Sequence, residues 1–219
     1  MKNLKISNEN LGKYLREISI VVIGVAITLS AGYWITNRNE KRDMALYLNT
    51  IKLELEENKK NINETIERVQ SSVKYSNYLR SHDKKSLNPD TIKAYSPTYH
   101  DVSTIIIKTN AFDMFKTSGN MRLVDDKELL LSIWDAYAVL GETADGFNMF
   151  MRVKLEDIQK EYHLFSLFDI ALLSAEEILK NVPMYDFYVH TAVPHTQIQI
   201  CEKALMKTIE TISKLEEMK

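Results

Sequence analysis

The sequence predicts an all-α protein: an N-terminal transmembrane helix continues into a long helix, which packs in an extramembrane helical bundle. Three observations carry this reading. Residues 18–37, ISIVVIGVAITLSAGYWITN, contain no charge in a chain where 26% of residues are charged. No Gly or Pro falls between Tyr33 and Asn88, so nothing stops a helix that starts in the apolar run. Beyond it, apolar residues recur at three- and four-residue steps, and no segment alternates like a strand; STIII is too short.

Twenty helical residues rise about 30 Å, the thickness of a bilayer's hydrocarbon core. Lys13, Tyr14 and Arg16 flank one end, and Tyr33, Trp34 and Arg38 the other, the residue types that settle among lipid headgroups. A cleaved secretion signal is the competing reading, with small residues at Ser30, Ala31 and Gly32; a buried helix of a soluble domain is the third. Bulky Tyr33 and Trp34 and the length of the run favour a retained anchor. The segment 1–17 carries four basic and two acidic residues, whereas the rest holds 24 basic and 28 acidic. The weak basic bias places the amino terminus in the cytoplasm and the C-terminal domain in the periplasm of a bacterium.

Between Glu17 and Arg38 no side chain ionises, which argues against a proton relay or ion pathway in a lone span. Gly24, Thr28 and Gly32 at four-residue spacing form a small-residue face on which a second membrane helix, from another copy or a membrane-protein partner, could pack. Alternatively, these residue types are simply common in membrane spans.

In the extramembrane part, 38–219, Met44, Leu48, Ile51, Leu55, Ile62, Ile66, Val69 and Val73 share one stripe, so the long helix reaches about residue 80. Asn58 and Thr65 interrupt that stripe, which favours packing on the chain's own helices over a self-paired coiled coil. Glu54 and Glu57 read as solvated outer-face residues. Pro89 and Pro97 mark 81–100 as a loop. A helix over about 101–118 ends where Gly119 can turn left-handed. The next, 125–165, opens with Asp125 as cap and Glu128 as its capping-box partner. Its stripe runs through Leu130, Trp134, Tyr137, Gly141, Ala144, Phe147, Met151, Leu155, Ile158 and Tyr162. Gly141 and Ala144 mark a close helix crossing, with a kink as the alternative. The aromatic residues Trp134, Tyr137, Phe147 and Phe150 read as core rather than as a ligand pocket. Helices at about 167–180 and 195–217 follow, the last with Ile198, Cys201, Leu205, Ile209, Ile212 and Leu215 on one face.

LGKYLREISIVVIGVAITL, the Trp after it, the run NRNE, and the later block AFDMFKTSGNMRLVDDKELLLSIWDAY together resemble a bacterial family of single-pass membrane proteins known only as a domain of unknown function. The AGYW at the membrane exit departs from that family's pattern, which has polar Gln and Asn before the Trp. The resemblance covers about sixty residues and implies a bacterial inner-membrane protein with a helical extramembrane domain. It implies no activity.

Catalytic signatures are absent from the sequence. Ser118, Gly119 and Asn120 lack the surroundings of a nucleophile elbow, and there is no phosphate-cradling glycine loop. A metal site could form only if a loop gathered Asp186, His190 and His195, with Glu202 following, and Pro194 blocks a helical i, i+4 arrangement there. The single cysteine, Cys201, excludes an internal disulfide framework and reads as a small buried hydrophobe. With a net charge of −2 and no basic patch, nucleic-acid binding is not expected, and no cofactor is implied. Two functional classes remain: an anchored interaction or sensor-like module within a membrane complex, or an anchored enzyme or metal-binding protein using the 183–195 loop.

Overall fold

A computed structural model describes residues 8–99, 101–162 and 195–217. All its regular structure is helical: α1 (Asn8–Ser81), α2 (Pro89–Tyr99), α3 (Asn110–Thr117), α4 (Lys127–Tyr162) and α5 (His195–Glu217), with short 3-10 turns at Lys84–Ser86 and Asn120–Leu123. The expected helix at 167–180 lies outside the described residues.

Helix α1 is continuous over 74 residues, about 110 Å. Its amino-terminal part is the one stretch among the described residues long and apolar enough to cross a membrane, and none of it is buried. Its remaining half behaves as the stripe predicts: Leu48, Ile51, Leu55, Ile62, Ile66 and Val69 are buried, with Met44 and Val73 at the edges of the core.

The bundle runs away from the apolar end along α1, returns through residues 101–109 and α3, leaves again along α4 and returns along α5. Helix α5 packs on both α1 and α4. The other side of the space between α1 and α4 is filled by 101–109, which hydrogen-bonds to Asn58 and Asn61 of α1 and to Asn148 of α4.

Several expectations require correction. Residues 101–109 are not helical but form a strap without regular structure, and α3 starts only at Asn110. The run Ser103-Thr104-Ile105-Ile106-Ile107 is dominated by β-branched side chains that favour extended backbone. Conversely, the expected loop 81–100 contains α2. Asn88 caps it by accepting the Asp90 amide at 2.8 Å, and Pro89 occupies the first helical position, where its missing N–H costs nothing. Asp126, rather than Asp125, caps α4, accepting the Leu129 amide at 2.9 Å. Helix α4 runs unbroken through Gly141, but a Cβ placed there would meet nothing within 4 Å, so no close crossing exists at that glycine. Trp134 and Ile209 are substantially exposed; Ala204, Thr208 and Thr211 are buried on α5 instead. Gly119 does adopt φ +74° and turns the chain between α3 and α4.

Candidate functional site

The most elaborate polar arrangement lies where α1 faces the strap. Glu54, Asn58, Asn61, Thr65 and Arg68 follow one another at steps of four and three residues, so they line one side of α1 over about four turns. Read from Glu54 to Arg68, the partners run backwards from α3 to the start of the strap.

Glu54 is buried and was expected on the solvated face; the structure places it at the amino terminus of α3. One oxygen accepts the Ala111 amide at 2.8 Å, and the other accepts the Phe112 amide at 3.3 Å and the Tyr137 hydroxyl at 2.6 Å. The cap residue of α3, Thr109, makes no side-chain capping bond, so a carboxylate from another helix satisfies its first amides and complements its dipole. Burial, and then the bond to Glu54, hold the Tyr137 phenol far above its ordinary value, which keeps it a donor. Glu57, by contrast, is exposed as expected and pairs with Lys108 at 2.5 Å.

Asn58, completely buried, pairs with the strap backbone in both directions. It donates to the Lys108 carbonyl and accepts the Lys108 amide, each at 2.8 Å. Asn148 on α4 does the same to Ile105 from the opposite side, at 2.7 and 2.9 Å, and Asn61 donates to the Ile106 carbonyl at 3.1 Å. The two asparagines thus supply the backbone partners that a segment without regular structure lacks. Ile105 is buried while Ile106 is exposed.

At the far end Arg68 binds Asp101 at 3.0 and 3.2 Å and also donates to Thr65. Lys154 of α4 is buried and donates to the Asp101 carbonyl at 2.9 Å. Burial lowers its affinity for a proton, and the charge of Asp101 opposes that shift. A groove of about 500 Å³ opens beside the strap, lined by Val102, Thr104, Asn148, Met149, Arg152 and Leu155.

This arrangement binds, orients and holds; it has no nucleophile–base pair. The signal for it was present in the sequence as the two polar interruptions of the α1 stripe, Asn58 and Thr65. Of the other candidate residues, Asp186 and His190 lie outside the described residues, as does the side chain of His195, which opens α5. Among the described residues no group of three His, Cys, Asp or Glu is placed to hold a metal. Cys201 is buried and its thiol is pushed up to about 11, chiefly by burial. On the apolar part of α1, Thr28 donates to its own helix at the Gly24 carbonyl, and a Cβ at Gly24 or Gly32 would meet nothing. No family model, curated protein or solved structure matches the chain.

Proposed function

We propose that the protein is a membrane-anchored helical interaction or sensor-like module, without evident catalytic activity, working within a membrane complex. The observation that supports it most is the continuity of α1. One helix carries the exposed apolar residues 18–37 and, without interruption, the buried stripe Leu48–Ile51–Leu55–Ile62 around which the bundle is built. A displacement at either end of such a helix reaches the other, because no flexible joint lies between them. The polar ladder then passes α1's position on to the strap, to α3 and, through Tyr137 and Asn148, to α4.

In this reading the span lies in a bacterial inner membrane with the amino terminus in the cytoplasm and the bundle in the periplasm. The support is the uncharged run, its aromatic and basic flanks and the short basic segment before it. The Gly24, Thr28 and Gly32 face remains open for a second membrane helix.

The test is purification of the full-length chain from gently solubilised membranes after chemical cross-linking, with intact-mass measurement of the chain itself. A reproducible cross-linked partner, resistance to alkaline extraction and an uncleaved amino terminus are expected. A chain that begins near residue 31–33, extracts freely and carries no cross-link would overturn the proposal.

A further inference from the structure

We infer that the turn joining α3 to α4, residues 118–126, sits in the lipid headgroup layer, with the Arg122 guanidinium on phospholipid phosphates. This rests on the reading of residues 18–37 as a membrane span.

The placement follows from α1 acting as a ruler. The Asn120–Leu123 turn packs on α1, and Arg122 approaches Glu40 at 3.6 Å. Glu40 lies three residues past the end of the uncharged run, about 4.5 Å along a helix, whereas the headgroup layer on each side of a bilayer is about 5–7 Å thick. A second marker agrees on the level: the Arg38 guanidinium stands over the Trp34 ring at 5.6 Å, an aromatic and basic pair of the kind that settles at the interface. Gly119, in the left-handed conformation, reverses the chain here, so among the described residues the turn is the part of the bundle that comes nearest the apolar run. The carboxyl end of α5 stops farther out: Leu215 and Glu216 lie beside Met44, Ala45 and Lys52, the first of them seven residues past residue 37, about 10 Å along the axis.

The chemistry of the turn suits phosphate. Arg122 is 77% exposed and, among the described residues, its one close carboxylate is at 3.6 Å, too far for a hydrogen bond; a planar, exposed guanidinium matches phosphate oxygens. Acidic and basic side chains nearby are nearly balanced, with Arg38, Lys41, Arg42 and Lys127 against Glu40, Asp43, Asp125 and Asp126. Binding therefore depends on the phosphate common to phospholipids and on the geometry imposed by α1, not on net attraction to an anionic surface.

The experiment uses the full chain with Cys201→Ala, spin-labelled at a single introduced cysteine replacing Ile27, Asn120 or Lys93, in phosphatidylcholine vesicles with and without phosphatidylglycerol. The readout is the label's collision rate with lipid-soluble oxygen against a water-soluble nickel chelate. The label at 27 should report the bilayer interior and that at 93 open water. The label at 120 should favour oxygen several-fold over the label at 93, equally in both lipids, and should lose most of that preference when Arg122→Glu is added. If 120 matches 93 while 27 reports the bilayer, the docking is wrong and the anchor stands; if 27 also reports water, the anchor itself fails. A label at 120 unaffected by Arg122→Glu would overturn the phosphate contact. Should Cys201→Ala fail to fold, the native cysteine can remain, since its buried thiol reacts slowly.

Discussion

Tyr137 of α4 and Glu54 of α1 meet across the space between their helices, the hydroxyl donating to the carboxylate at 2.6 Å. Because the same carboxylate receives the Ala111 and Phe112 amides in the first turn of α3, one side chain ties three elements together. Glu54→Ala leaves a buried hydroxyl and two helix-terminal amides without their acceptor and should destabilise the protein by about 3 kcal/mol, whereas Tyr137→Phe removes one charge-assisted bond, at about 1.5–3 kcal/mol. The double variant should fall well short of the sum, since both changes remove the same bond. Denaturant unfolding of the detergent-solubilised chain, followed by circular dichroism, measures all three; strict additivity would disprove the shared bond.

The asparagines that hold the strap predict a ranking. Asn58→Ala and Asn148→Ala each orphan one amide and one carbonyl of the strap, so each should cost about 2 kcal/mol, while Asn61→Ala, with a single exposed bond, should cost under about 1 kcal/mol. Hydrogen exchange provides a local check: the Lys108 amide should lose protection in Asn58→Ala and the Ile105 amide in Asn148→Ala. Loss of both amides together in either variant would show that the strap opens as one unit, not contact by contact.

The periodic parts of this fold were legible in the sequence because burial repeats with the helix. The α1 stripe, the passage of α4 through two glycines, the turn at Gly119 and the extent of α5 all came from that repeat and from glycine's access to positive φ. The strap did not, since its partners lie 33 to 53 residues away and a tertiary hydrogen bond leaves no local trace. Glu54 was misplaced for the same reason: a carboxylate among lysines has the pattern of a solvated face, and only the arrival of α3 gives it buried donors. Helix α2 was a different failure, because Asn88-Pro89 is a helix-start signal as well as a loop signal.

Cys201 offers a probe of bundle integrity. Its thiol is buried and pushed up from 9.0 to about 11, so at pH 7.5 the thiolate fraction should be about two orders of magnitude below that of the unfolded chain. Maleimide modification of the folded protein should be slower by at least that factor. Denaturant or a variant that opens the α1–α5 interface should restore the rate. Rapid labelling of the native chain would place Cys201 outside the core.

Lys154 gives a pH dependence whose sign is set by burial. Its native proton affinity is lowered from the ordinary 10.5, first by desolvation, with the Asp101 charge opposing. Arg68 is paired with the same Asp101, at 3.0 Å. Well below the native value both states carry the proton, and the folded state bears the full cost of a buried ammonium. As pH rises from the native value toward 10.5, the folded lysine releases its proton before the unfolded one does. The unfolded state then binds more protons, so this group's contribution to stability increases with pH in that window. Lys154→Met removes the titration while keeping the bulk of the side chain. The stability of the parent relative to Lys154→Met should therefore improve between pH 8 and pH 10 in denaturant unfolding. A difference that stays constant would mean that the Asp101 charge balances burial at this end of the ladder, and one that moves in favour of methionine that it outweighs burial.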